Sequence, residues 1–135
     1  MKRCRQVFLR TILLASVCWV LVAPMGCGSS GPTRYRLEGE ITYDGKPVPA
    51  GEIFLEPDTS QGNSGPGGHA IIEDGRYATV SGKGTVGGPH ILRVEGTDGE
   101  ASWEAPYGGY LFDEFVVSVD LPEEDTTYDI VVPAE

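Results

Sequence analysis

Residues 37–57 read LEGEITYDGKPVPAGEIFLEP. Two runs in this stretch alternate apolar with polar side chains. Leu37, Ile41 and Tyr43 share one face of the first, Ile53 and Leu55 one face of the second, and a period of two is the mark of a half-buried strand. Asp44-Gly45 suits the positive φ angles of a tight turn, and Pro47 and Pro49 stiffen the chain that follows. The stretch therefore predicts two strands joined by a proline-stiffened turn, in a fold without helical periodicity.

The rest of the chain repeats the theme. Residues 57–68 (PDTSQGNSGPGG continues from Pro57) form a loop, since glycine and proline supply neither side chains nor donors for a ladder. Strands are expected over 69–73 and 76–80, separated by Asp74-Gly75, a strong hairpin signal. Residues 81–88 form another loop. A fifth strand covers 90–95, and 96–109 is a long connection. A sixth strand over 111–121 carries Phe115, Val117, Val119 and Leu121 on one face. Residues 122–125 turn the chain, and 126–132 close it. Seven short strands with turn signals between them predict an all-β fold, a seven-stranded antiparallel β-sandwich. Its expected core is Leu37, Ile41, Ile53, Leu55, Ile71, Tyr77, Leu92, Val94, Phe115, Val117, Val119 and Ile130. If every connection reverses the chain, the 44–50, 74–75 and 96–109 segments share one end, while 57–68, 81–88 and 122–125 share the other.

Upstream of the strands, a basic start containing Lys2, Arg3, Arg5 and Arg10 leads into an apolar run over residues 11–23. Thirteen residues are too few to span a bilayer, which takes about 20, so the layout is that of an export leader. Its end, Ala23-Pro24-Met25-Gly26-Cys27, resembles the lipobox of bacterial lipoproteins, in which a cysteine after a small residue is lipidated and becomes the mature N-terminus. Pro24 and Met25 depart from the usual residues there, and cleavage near Ala23 or Gly26 without lipid is the alternative. The organisation expected is a leader over 1–26, lipidated Cys27 with a linker over 27–34, and one domain over 35–135. Membrane attachment through the lipid and an envelope location follow, with the membrane itself unspecified.

Composition agrees with that plan. Two of the three cysteines, Cys4 and Cys18, lie in the leader, and lipidation would consume Cys27, leaving the domain without a thiol for disulfide, metal or catalysis. Beyond the leader the chain keeps all twenty acids and six of its ten bases; after Arg93 there is no Lys or Arg and twelve acids. Such a surface repels phosphate backbones and excludes nucleic acid as a partner.

Taken in order, LEGEITYDGKPVPAGEIFLEP, EDGRYAT, GKGTVGGPHILRVEG and FVVSVDLPEEDTTYDIVVPAE resemble the carboxypeptidase regulatory-like domain, a prealbumin-like (transthyretin-like) sandwich found in several bacterial lipoproteins. The similarity covers residues 35–135. It implies a non-catalytic module. The peptidase's His-x-x-Glu is missing, because Glu73 follows His69 one position too late. The Tyr-Arg-Gly-Ser terminus of the transthyretin-related hydrolases is also missing, since the chain ends Val-Pro-Ala-Glu.

The residues themselves carry little chemistry. His69 and His90 are the only histidines, and neither spacing brings Ser81 or Ser102 to them as a triad requires. No catalytic residue, cofactor or metal site is therefore expected. Glu123-Glu124-Asp125 and Asp98-x-Glu100 offer oxygen ligands for calcium, yet without a calcium-loop spacing. Trp103, Tyr107, Tyr110 and Phe112 are aromatics of the kind that stack on sugars. Asp44, Glu73, Asp74, Asp98, Glu100 and Glu104 gather as an acidic rim at the end that carries Trp103. Function on a rigid scaffold concentrates on such loops. The expectation is a structural or protein-interaction module contacting envelope proteins or glycans through Asp98, Glu100, Trp103 and Glu104. The alternative is a carbohydrate- or calcium-binding module using the same 96–109 loop.

Overall fold

Both Asp-Gly pairs turn the chain as their chemistry demands. Asp44 and Gly45 have φ of 49° and 71°, Asp74 and Gly75 have 50° and 77°. Two successive positive φ values define the type I′ turn, whose twist matches the strands it joins.

The computed structural model describes residues 31–134. The leader, Cys27 and the first part of the 27–34 linker lie outside the described residues. The chain is all-β. Its strands are β1 (Leu37–Tyr43), β2 (Lys46–Pro47), β3 (Ala50–Pro57), β4 (Gly68–Glu73), β5 (Arg76–Thr79), β6 (Gly88–Thr97), β7 (Phe115–Leu121), β8 (Thr126–Thr127) and β9 (Ile130–Val132), with a 3-10 turn at Thr59–Gln61. They join in one sheet ordered β2-β1-β5-β4-β3-β6-β7, and β8 and β9 pair with β1. The pairs β1/β5, β5/β4, β4/β3, β3/β6 and β6/β7 are all antiparallel. Along its other edge β1 runs parallel to β8 and β9. Six reversals bring the last strand parallel to the first, so the alternation of directions expected from the turns holds throughout.

The sheet curls so that its inward residues form a single core. Leu37, Ile41, Ile53, Leu55, Leu92 and Val94 are fully buried, with Tyr77 and Ile130 nearly so. The curl is tied shut where Gly39 lets the chain between β8 and β9 approach. A Cβ on Gly39 would collide with the Tyr128 carbonyl, and that carbonyl accepts a hydrogen bond from the buried Tyr77 hydroxyl.

The two ends also segregate as the strand directions require. At one end, the Asp74 and Gly75 N–H groups donate to the Pro49 and Val48 carbonyls, each at 2.8 Å. At the other, Asn63 Nδ2 donates to the Gly87 and Pro89 carbonyls at 2.9 and 2.7 Å. Tyr35 bridges Thr85 at this second end, and Arg34 donates to the Gly67 carbonyl. We call this the root end, because the chain joins the sheet there. Buried Asp58 organises the root end too: its carboxylate accepts from the Ser60 hydroxyl and the Gln61 amide, bonds that hold its pKa below the ordinary value.

Several expectations are corrected. Ile71 is 37% exposed, and its neighbour Ile72 takes the core position, because the Asp74-Gly75 hairpin pairs Ile72 with inward Tyr77. Phe115, Val117 and Val119 are half-buried rather than buried, since β7 is the edge of the ordered path and has a neighbour on one side only. That strand starts at Phe115 instead of residue 111, and the closing strand is interrupted between β8 and β9. The two runs of the 37–57 stretch are not neighbours, because β5 and β4 lie between β1 and β3. Val48, within the turn between them, is fully buried, as is His90, whose Nδ1 lies 2.8 Å from the Gly88 carbonyl.

Candidate functional site

The long connection after β6 builds its own structure. Asp98 N–H donates to the Gly109 carbonyl and Leu111 N–H to Gly96, both at 2.9 Å, closing the base of the loop. The Asp98 carboxylate then turns inward: Oδ1 accepts from the Glu100 and Gly109 N–H groups at 2.9 Å each. A short side chain that satisfies nearby backbone donors is the usual device of such turns. Asp98 thus positions the loop, while Glu100 stays exposed beside it.

Further out, Ser102 N–H donates to the Ala105 carbonyl and Ala105 N–H returns a bond to Ser102 Oγ at 3.0 Å. Trp103 and Glu104 are the two residues enclosed by this exchange. They project from the tip, and Trp103 is 89% exposed. Of the four aromatics singled out in the sequence, only Phe112 packs inward, 5.0 Å from the Tyr43 ring and over Gly96. Tyr107 and Tyr110 are 85% and 72% exposed. Of the four expected contact residues, the fold joins Asp98 to Glu100 at the loop base and sets Trp103 beside Glu104 at its tip.

The loop also walls a groove that sequence reasoning missed. Its volume is about 560 Å³, and it lies on the outer face of β3, β4 and β6. Tyr107 and Tyr110 stand on one side, with Glu52, Ile71, Glu73 and Glu95 on the sheet. Glu52 and Glu95 are direct cross-strand partners. Glu52 has His69 Nε2 at 3.2 Å, and that imidazole stacks on Phe54. Among the described residues, no ion pair engages Glu73 or Glu95. Both are outward positions of their strands, but their convergence depends on the β3/β6 pairing, which joins segments far apart in sequence.

A larger depression of about 970 Å³ lies over β1, β5 and residues 127–129. Two of its acids carry an arginine, Arg36 with Glu38 at 2.7 Å and Arg76 with Glu40 at 3.2 Å, while Glu73, Asp74 and Asp129 also line it. These exposed pairs contribute little to stability. Among the described residues, no group of three His, Cys, Asp or Glu side chains is arranged to hold a metal ion, and no helix is long and apolar enough to cross a membrane. His69 and His90 stand on opposite faces of the sheet, one outward and one in the core.

No family model, curated protein or solved structure matches the chain.

Proposed function

We propose that this protein is an exported lipoprotein, anchored in the cell envelope through Cys27, whose single domain is a non-catalytic interaction module. In this reading the curled sheet is a prealbumin-like sandwich of the carboxypeptidase regulatory-like kind, and the loop end, carrying residues 96–109, meets the partner. The observation that carries the reading is Trp103, 89% exposed at the tip of a loop braced by its own hydrogen bonds. A large aromatic held in water offers apolar area that a partner can bury, and such residues are the common anchors of interfaces.

The place of attachment supports the same reading. Arg34 and Tyr35 are fixed at the root end, and the six residues 28–33 reach at most about 20 Å. An anchor at Cys27 would hold the root end near the bilayer and turn the 96–109 loop outward. Exposed Trp103, Tyr107 and Tyr110 favour one second reading, stacking on envelope glycans.

The experiment is capture from envelope extract by the intact lipoprotein and by its Trp103→Ala/Glu104→Ala variant. Loss of a specific partner, with the melting temperature unchanged, is the expected result. A folded variant that captures as well as the wild type would refute the role of the loop. In parallel, a melting temperature raised by soluble glycans would transfer the reading to sugar binding, since a ligand of the folded state must stabilise it.

A further inference from the structure

We propose that the groove beneath Tyr107 and Tyr110 receives a lysine or arginine side chain from a partner protein. This names the chemistry of contact within the interaction module and rests on that reading.

Glu52 and Glu95 face each other across the β3/β6 ladder on its outer side. Directly opposed residues place their Cβ atoms about 5 Å apart, and like charges there are destabilising. The same outer face holds Glu73 diagonally across β3/β4 from Glu52. Of these three carboxylates only Glu52 has a partner among the described residues, the His69 imidazole; Arg76, opposite Glu73 on β5, is turned to Glu40. In the neighbouring depression two acids do have an arginine, Glu38 with Arg36 and Glu40 with Arg76. In the groove the complementary charge has to come from outside.

The walls say what carries that charge. Tyr107 and Tyr110 line the groove and are largely exposed, and a tyrosine ring can receive a cation and pack on its methylene stem. Thr97 also lines the groove and is 6% exposed. A guanidinium or ammonium bears several donors and no acceptor, which matches carboxylates and a hydroxyl. The groove lies on the outer face of the sheet under two exposed tyrosines, whereas sites for free small molecules enclose most of the ligand's surface. A groove so placed fits a side chain delivered on a partner's backbone.

The test uses the full chain in detergent and a fluorescein-labelled pentapeptide with one central arginine, read by anisotropy. Its twin carries citrulline, which keeps the shape and removes the charge. The arginine peptide should bind and the citrulline peptide should not. Glu52→Gln/Glu95→Gln should weaken binding about tenfold, as should Tyr107→Ala, from the loss of charge and of cation–π contact. Glu123→Gln/Glu124→Gln removes the same net charge at the root end and should leave binding unchanged. The groove variant should melt no lower than the wild type, because it relieves a repulsion. Equal weakening by the groove and root-end variants, or no arginine binding at all, would overturn the proposal. So would free agmatine binding as tightly as the peptide, which would make the occupant a small cation. Specific arginine binding without capture of any envelope protein would uphold the groove's chemistry and count against the interaction module alone.

Discussion

Tyr77→Phe removes one oxygen atom from the place where the sheet closes on itself. The Tyr77 ring is 3% exposed, and its hydroxyl donates to the Tyr128 carbonyl between β8 and β9. Phenylalanine keeps the ring's packing and loses the donor, leaving that carbonyl without its partner. An unsatisfied group of this kind costs about 1–3 kcal/mol, a substantial share of the roughly 5–15 kcal/mol that holds a small domain together. For a domain of this size each kcal/mol shifts the melting temperature by about 4–8 °C. Alkaline pH gives a second readout. Burial, reinforced by the negative charge of Asp129, pushes the Tyr77 phenol well above its ordinary value. The folded state then keeps a proton that the unfolded chain releases near pH 10. The resulting stabilisation is complete below about pH 10 and is lost as the pH rises toward the folded-state value. Circular-dichroism melts from pH 7 to 11 should show the wild type weakening above about pH 10, with a shallower decline in Tyr77→Phe. Tyr110→Phe, at a tyrosine 72% exposed, serves as the control. Identical melting temperatures and identical alkaline slopes for Tyr77→Phe and wild type would refute this account of the closure.

Leu92→Ala empties a fully buried position of β6 and should cost about 2–5 kcal/mol by denaturant titration; an unchanged midpoint would mean that the core lies elsewhere. Gly39→Ala drives a Cβ against the Tyr128 carbonyl and should lower stability by about 1–3 kcal/mol, more than Gly31→Ala, whose surroundings are open and whose φ is not positive. Cys27→Ser should shift the protein out of the membrane fraction or leave an unprocessed precursor, and mass spectrometry of a wild-type chain that starts elsewhere without lipid would contradict the anchor.

The parts of the fold set by short-range chemistry were legible in the sequence. Asp44-Gly45 and Asp74-Gly75 turn as such pairs do, and counting reversals between alternating runs correctly sorted the loops to two ends. Where adjacent residues were both apolar, alternation had no power: Ile71 and Ile72 differ only by the register of their hairpin. Val48 lay in what read as a turn, yet it faces the core because Ile41 and Gly75 hydrogen-bond on either side of it. Trp103 could be placed on the right loop from sequence, but its exposure depends on the Ser102–Ala105 exchange that lifts the tip. The groove was invisible, since Glu52 and Glu95 become neighbours only through a pairing across more than forty positions.

The proposed division of labour between the two ends is tested most directly in intact cells that make the protein. A photo-reactive side chain can be placed at Trp103, on the exposed tip, and separately at Glu123, beside Gly87 at the root end. Irradiation should crosslink a partner protein from position 103 and none from position 123. Crosslinking from 123 with silence at 103 would show that the working face is the root end, and would contradict the outward-facing loop as the site of contact.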